Sequence, residues 1–323
     1  MAGRSLVGLA LALVFIGHTT IAVAGPYPER AVRVVVPFAP GGTTDVVARI
    51  VTAKLAQELG QQFYIENKGG AGGMLGADAV AKAQPDGYSL LLFHIGLIYS
   101  KSLNKNVPYD IVKDFVPITT LGIAPSTLIV SPKVTAKTLP EFIALARSKP
   151  GEMNFGSAGV GTSSHLAVEL FQSMTGAKLT HVPYKGGGPA LVAVMGSEIE
   201  CMIETLGTVA SHVESGTVRA LAVTSEQRFS GLSQVPTMKE AGLPGYVYTT
   251  WYGLWAPANT PPEIVTGLNA ALQKILQQGD VKDTLLKAGI IAEASTQADF
   301  AKLIQSDMVK WDKIISDNGL KPQ

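Results

Sequence analysis

Apolar residues along this chain follow two alternating patterns. Short continuous runs rich in Val, Ile and Leu are succeeded by longer stretches whose apolar positions fall three and four residues apart. Residues 32–37 make one such run, and 44–59 set Val46, Val47, Ile50, Val51, Ala53 and Leu55 at helical spacing, which predicts a strand, a loop and a helix. The order continues with a strand at 63–66, a helix at 73–83 and an apolar strand at 88–94. Residues 115–130 read as two extended segments joined across 122–125, with a helix at 139–148 after them. A second series then places strands at 153–155, 179–182, 199–202 and 218–223, separated by helices at 163–174, 189–195 and 205–214. An extended segment at 251–256 and two amphipathic helices, 262–277 and 297–317, finish the chain, the first of them opening on proline as helices often do. The alternation predicts an α/β fold with mainly parallel sheets covered by helices, and ligand loops at the carboxyl ends of strands. Two series without a flexible linker imply two domains joined by extended crossings near 122–127 and 250–254.

Composition narrows the class. Of 323 residues, 46% are hydrophobic and only 16% charged, which excludes disorder and predicts a core sufficient for two domains. The 26 Lys and Arg against 25 Asp and Glu leave no excess positive charge for phosphates, and no basic cluster is interleaved with aromatics, so nucleic acid is excluded as a partner. Residues 1–24 start with one positive charge, Arg4, run through an apolar stretch and end in Ala22-Val23-Ala24, the pattern of a cleaved signal peptide. Gly17-His18-Thr19-Thr20 interrupts the stretch too early for a membrane anchor, which needs about 20 apolar residues. The single cysteine, Cys201, allows neither an internal disulfide nor a lipid anchor at the cleavage site. Export without disulfides fits a soluble bacterial periplasmic protein with a large core.

The chemistry belongs to the loops. In the segment 37–45, Gly41 and Gly42 permit a close backbone approach and Thr43 or Thr44 can cap the following helix, whose amides and dipole attract an anion. Segment 156–164 repeats the device with Gly156, Gly159 and Gly161 ahead of Thr162, Ser163 and Ser164. Either loop alone reads as an ordinary capped turn before it reads as a site. Two of them, one per domain, predict an acid clamped between. Further glycine turns stand at 69–73 and 186–188.

Other chemistries fit poorly. Gly156 and Gly161 have P-loop spacing, but Thr162 stands where the phosphate-neutralising lysine belongs, and no GxGxxG precedes the helix at 44. His94, His165, His181 and His212 show no metal-ligand spacing, so neither a metal nor another cofactor is expected. Ser163, Ser164, His165 and Glu169 form a set that a hydrolase would need, yet adjacent helical residues point about 100° apart and no GxSxG elbow is present. Asp45, Glu169 and Glu204 read as helix-capping or solvated groups rather than general acids or bases.

Seven collinear segments resemble the solute receptors of tripartite tricarboxylate transporters, the TctC or Bug family: PFAPGGTTDVVAR (37–49), ENKGGAGGMLGADAVAKAQPDGY (66–88), GSAGVGTSSHLAVELF (156–171), HVPYKGGGPAL (181–191), VRALAVTS (218–225), VPTMKEAGLPGY (235–246) and GLWAPANTP (253–261). The resemblance implies a type II periplasmic binding protein that is not an enzyme. Its two α/β lobes, 25–124 plus 253–323 and 125–252, would close like a Venus flytrap about two hinge crossings. It implies a monomer that carries a small carboxylate to a membrane permease. Carried over by position, the carboxylate falls to Phe38, Gly42, Thr43, Thr44 and Asp45 in the first lobe and to Ser157, Ala158, Gly161, Thr162 and Ser163 in the second. An exported α/β hydrolase and a sensory receptor with the same binding chemistry are the alternatives.

The chain departs from the family pattern at three places. His94 stands where a small hydroxyl residue is usual, Glu204-Thr205 replaces an Asp-Asn type pair, and the glycines at 186–188 remove a common serine. A histidine at a strand end can donate to a second carboxylate, and Phe38, Tyr184 or Trp251 offers a flat apolar wall. On this reading a dicarboxylate with an aromatic middle, such as terephthalate, is favoured over citrate.

Overall fold

The computed structural model describes residues 27–317, so the expected export segment at 1–24 lies outside the described residues. In chain order the elements begin β1 (Val32–Val36), α1 (Thr43–Leu59), β2 (Phe63–Asn67), α2 (Met74–Ala81), β3 (Ser89–His94), α3 (Gly96–Leu103), β4 (Phe115–Val130) and α4 (Leu139–Ser148). There follow β5 (Asn154–Ser157), α5 (Ser163–Thr175), β6 (Thr180–Pro183), α6 (Gly187–Met195), β7 (Cys201–Thr205), α7 (Leu206–Glu214) and β8 (Arg219–Val223). The chain then runs through β9 (Thr249–Pro257), α8 (Pro262–Gln277), α9 (Gly279–Lys287), β10 (Ile291–Ala292) and α10 (Gln297–Asp317). Among the described residues no helix is long and apolar enough to cross a membrane.

The strands lie in the order β2-β1-β3-β9-β4-β7-β5-β6, with β10 and β8 also paired to β4. Both faces are covered, which is why β1 and β3 carry the consecutive apolar runs Val34–Val36 and Leu90–Phe93. In the first half Val34, Val36, Leu90 and Leu92 face α1 and α8 through Val51, Leu55, Leu268 and Leu272, while Val35, Leu91 and Phe93 pack on the opposite side with Trp255 and Phe300. The second half repeats the arrangement, with Ile129, Met202 and Val223 against Val194, Leu206 and Val209 on one side and Phe155 and Ile203 against Phe142, Leu166 and Phe171 on the other.

The sheets are mixed rather than mainly parallel. β1 pairs in parallel with β2 and β3, and β5 with β6 and β7, as βαβ units require. β9 however runs antiparallel to both β3 and β4, and β4 antiparallel to β7 and β8, because these two strands enter each half as crossings and not as helix returns. β4 is one strand, where the pattern predicts two. Bulges on either side of Thr119 and Thr120 absorb the irregular positions, and Gly122 has no Cβ to strike the Ile291 carbonyl of β10, which would stand 2.7 Å away. β4 pairs with β9 as far as Pro125 and with β7 and β8 from Ser126 and Thr127 onward. Three elements escaped the pattern. α3 is eight residues long and buried except at Lys101 and Ser102, α9 starts on a glycine, and β10 has two residues, so none shows a readable stripe.

Thr224 joins the two crossings. Its N–H and hydroxyl donate to the Ser126 carbonyl (2.8 and 3.0 Å), its hydroxyl accepts from the Ser126 N–H (2.9 Å), and its carbonyl accepts from the Tyr248 N–H (3.0 Å). The same hydroxyl lies 2.5 Å from the Tyr248 carbonyl, so its single proton is shared between the two carbonyls. Thr224→Val keeps the shape and strands buried backbone groups, so urea unfolding should show a loss of about 1–3 kcal/mol. An unchanged midpoint and slope would show that the crossings do not depend on this hydroxyl.

Candidate functional site

The amino ends of α1 and α5 face one another across the junction of the two halves and enclose a small cavity. It is lined from the first half by Phe38, Gly42, Thr43, Thr44 and His94, from the second by Ala158, Ser163, Gly187, Glu204, Thr205 and Thr208, and at the crossing by Tyr252 of β9. Its free volume, about 20 Å³, is that of a water or two. A larger groove of about 960 Å³, walled by Pro132, Leu139, Arg219 and Val235, lies away from it in the second half and holds none of the expected site residues.

The loop before α1 is shaped by Asp45. Its buried carboxylate accepts from the Gly41 N–H (3.2 Å), from Asn67 Nδ2 (3.0 Å) and from Arg49 Nε and Nη2 (2.8 and 3.1 Å). Burial by itself would raise its pKa, but the bonds from Arg49, Asn67 and Gly41 outweigh this and hold the carboxyl below its ordinary value. Asp45 is therefore neither solvated nor in the cavity. It fixes the turn from behind.

The threonines do not cap their own helices. Gly42 and Thr162 are the N-caps of α1 and α5, and neither helix start carries a side-chain cap. Thr43 instead bonds across the junction, its N–H and hydroxyl to the Thr208 hydroxyl (both 2.9 Å) and its hydroxyl to that of Thr205 (2.6 Å). Thr162 donates back to the Gly159 carbonyl (2.7 Å), and Ser164 accepts from the Ala158 N–H (2.9 Å). The Gly159 and Gly161 N–H groups are likewise used inside the loop, by the Ser157 hydroxyl (3.1 Å) and His165 Nδ1 (3.2 Å). Among the described residues this leaves the first-turn N–H groups of Thr44, Ser163 and Ser164 without a partner, at the positive ends of two helices.

His94 is buried and held in one tautomer. Its Nδ1 accepts from the Gly96 N–H (2.9 Å), so the neutral ring carries its proton on Nε2. The ring stacks on Phe38 with centroids 5.0 Å apart and planes 15° apart. Burial lowers its pKa to about 3.

The expected residues thus divide by position. Phe38, Gly42, Thr43, Thr44, His94, Ala158, Ser163, Glu204 and Thr205 meet at the cavity, while Asp45, Ser157, Gly161 and Thr162 stand behind its loops. Tyr184 lies outside, in a groove with Gly72 and Val160. Trp251 points away, its Nε1 donating to Asp307 (2.7 Å). Its neighbour Tyr252 lines the cavity, because strand alternation puts only one of the two on each face. Tyr252 pairs in register with His94, so strand pairing was the signal that would have chosen it. Gly187 and Thr208 were also missed, and only the packing of α6 and α7 brings them in. Glu204 is not solvated, being 5% exposed. The set at 163–169 is not joined as a triad: among the described residues Ser164 Oγ accepts from the Ala158 N–H, His165 Nδ1 accepts from the Gly161 N–H, and no hydrogen bond links a serine of the set to the histidine.

A family model described as the tripartite tricarboxylate transporter family receptor, TctC, matches residues 47–320. The chain belongs to this receptor family. Protein BugT of Bordetella pertussis is 36% identical over 318 residues, which cover 96% of this chain and 98% of BugT. The structure is similar to that of Rpa4515 from R. palustris with adipate, at 34% identity and a TM-score of 0.90, covering 92% of this chain and 100% of that one. It is similar also to the periplasmic binding protein BugD, at 34% identity and a TM-score of 0.89 with the same coverage. The receptor accordingly has the two-lobed α/β fold of periplasmic binding proteins and is a solute-binding protein, not an enzyme.

The lowered pKa of His94 makes the receptor acid-sensitive. The ring stays neutral in the fold but takes a proton on unfolding, so its contribution is complete above its ordinary value of 6.5 and is lost as pH falls toward 3. The loss approaches about 1.4 kcal/mol per pH unit. Urea unfolding of His94→Gln at pH 6, 5 and 4 should show a decline shallower than wild type by about that slope. Equal slopes would mean that the ring is protonated within the fold.

Proposed function

We propose that this receptor captures an organic carboxylate between its lobes in the periplasm and presents it, as a monomer, to the membrane permease of a tripartite tricarboxylate-type transporter. The observation that carries the reading is the convergence of unpartnered N–H groups of α1 and α5, one helix from each half, on a cavity with no lysine or arginine in its wall. Backbone donors at helix amino termini bind anions without a cation. The lobes we assign are 25–124 with 253–323, and 125–252; the change of partners along β4 at 125–126 supports the first crossing. The cavity is too small for more than a carboxylate group, so capture requires the Thr43 bonds to Thr205 and Thr208 to open and the lobes to part. The export pattern at 1–24 and the likeness to BugD support the location.

Within that class we assign a dicarboxylate, with terephthalate as the aromatic candidate. His94 Nε2–H supplies a neutral donor for the second carboxylate, and the Phe38–His94 stack supplies a flat wall. The likeness to a receptor solved with adipate supports the dicarboxylate.

A thermal-shift screen of ligand-stripped protein against adipate, malate, terephthalate and citrate, with amides as controls, tests the class. Free ligand at about 100 times Kd stabilises by about 2.7 kcal/mol, a rise of roughly 5–11 °C in Tm. No response to any acid from folded protein would reject the reading. A sharper test is Ser163→Pro. Position 163 opens α5, where proline is tolerated, and Thr162 before it is already extended (φ −90°, ψ 168°), so the helix stays while one anion-facing N–H is deleted. Affinity should fall by about 10- to 100-fold with little change in the ligand-free Tm. Unaltered affinity would place the carboxylate elsewhere.

A further inference from the structure

The cleft contains a carboxyl group of its own. Glu204 is the penultimate residue of β7, and its Oε1 accepts from the N–H and the hydroxyl of Thr205 (both 2.9 Å). Its Oε2 is buried and has no hydrogen-bond partner among the described residues. That oxygen stands 2.8 Å from where a Cβ on residue 187 would lie, so the glycine of α6 makes room for it. No cation lines the cavity to neutralise it. An ionised Glu204 beside a bound carboxylate would set two like charges in one dry site, an arrangement in which one of the pair keeps its proton.

We infer that Glu204 is the specificity-determining acid of this cleft: it carries a proton on Oε2 and donates it in a hydrogen bond to the ligand's carboxylate, so that capturing the anion is coupled to taking up a proton. The inference rests on the carboxylate reading above. A neutral acid donating to a carboxylate forms a charge-assisted bond and adds no charge to the site. Burial already raises the Glu204 pKa in the ligand-free protein, against the opposing pull of the Thr205 N–H and hydroxyl and of the nearby Ser164 hydroxyl. A bound anion raises it further, which is the proton uptake.

Besides Glu204, the titratable side chains that line the cavity are those of His94 and Tyr252. On β3, His94 is neutral, its pKa lowered to about 3 by burial. Tyr252 on β9 and Tyr248 just before it are raised well above the ordinary phenol value by burial. On α1, Asp45 lies behind the loop, paired to Arg49. The facing residue of β4 is Thr127, and α6 and α7 present Gly187 and Thr208. On α5, Ser163 faces the cavity and His165 turns its Nδ1 to the Gly161 N–H.

Titration calorimetry with adipate, malate and terephthalate from pH 5.5 to 9.5 tests the inference, using wild type and Glu204→Gln. Wild-type affinity should fall as pH rises, by at least tenfold over the range and by up to tenfold per unit once Glu204 is ionised in the free protein. Glu204→Gln, whose amide donates at every pH, should give a profile flat to within threefold. Titrations of wild type in two buffers of different ionisation enthalpy give the proton count directly, and so do not depend on the variant folding. Uptake approaching one proton per ligand in the alkaline half of the range supports the inference. It is overturned by a flat wild-type profile without uptake, by an equal slope in the variant, or by affinity that rises with pH, which would mean that an ionised Glu204 pairs with a cationic group. Binding with a flat profile refutes the inference alone, whereas no binding of any of the three acids refutes the carboxylate reading with it.

Discussion

The antiparallel ladder between β4 and β9 is the constraint on which the rest of the receptor depends. These strands belong to neither βαβ series. They carry the chain between the halves and, by pairing with one another from Phe115–Pro257 to Pro125–Thr249, set the distance and angle at which the two sheets meet. Where β4 exchanges β9 for β7 and β8, the carboxyl ends of β1, β3, β5 and β7 are brought toward a common junction. The amino termini of α1 and α5 then point at one small volume. Neither half encloses the cavity by itself. The site is a property of the ladder.

The chemistry at the junction is that of neutral donors. A lysine or arginine there would bind a carboxylate more strongly but would leave an uncompensated charge when the lobes close without ligand. Helix termini avoid this, since their partial charge is spread over backbone groups that need no counter-ion. The hydroxyls of Thr43, Thr205 and Thr208 satisfy one another when the lobes meet, so closure strands few polar groups. The acids and imidazoles do different work. Asp45 shapes a loop from behind, and His165 and His181 support the other loop through Gly161 and Ser157. Glu204 and His94 bring titratable side chains with unused polar atoms to the cleft.

Much of the fold was legible because strands buried on both faces and amphipathic helices leave strong periodic signals. β1, β3, α1, α8 and α10 lie within a residue or so of their expected bounds. The failures share a cause. α3 and β10 are too short to show a period, and β4 continues through Gly122 and Pro125 only because its neighbours supply bulged pairing and close contact. A local pattern cannot report what lies on the other side of a ladder.

The sequence by itself determined the two α/β series, the paired glycine loops and the family, because each is written in contiguous residues. It also marked His94 and Glu204 as departures from the family pattern. Tertiary structure decided what those residues do. It turned the threonine hydroxyls from caps into a contact between lobes, set Trp251 against Asp307 and Tyr252 into the cleft, and buried Glu204 with one oxygen free. Those outcomes depend on which residues from distant segments share a face and exclude water, and spacing along one chain carries no record of that.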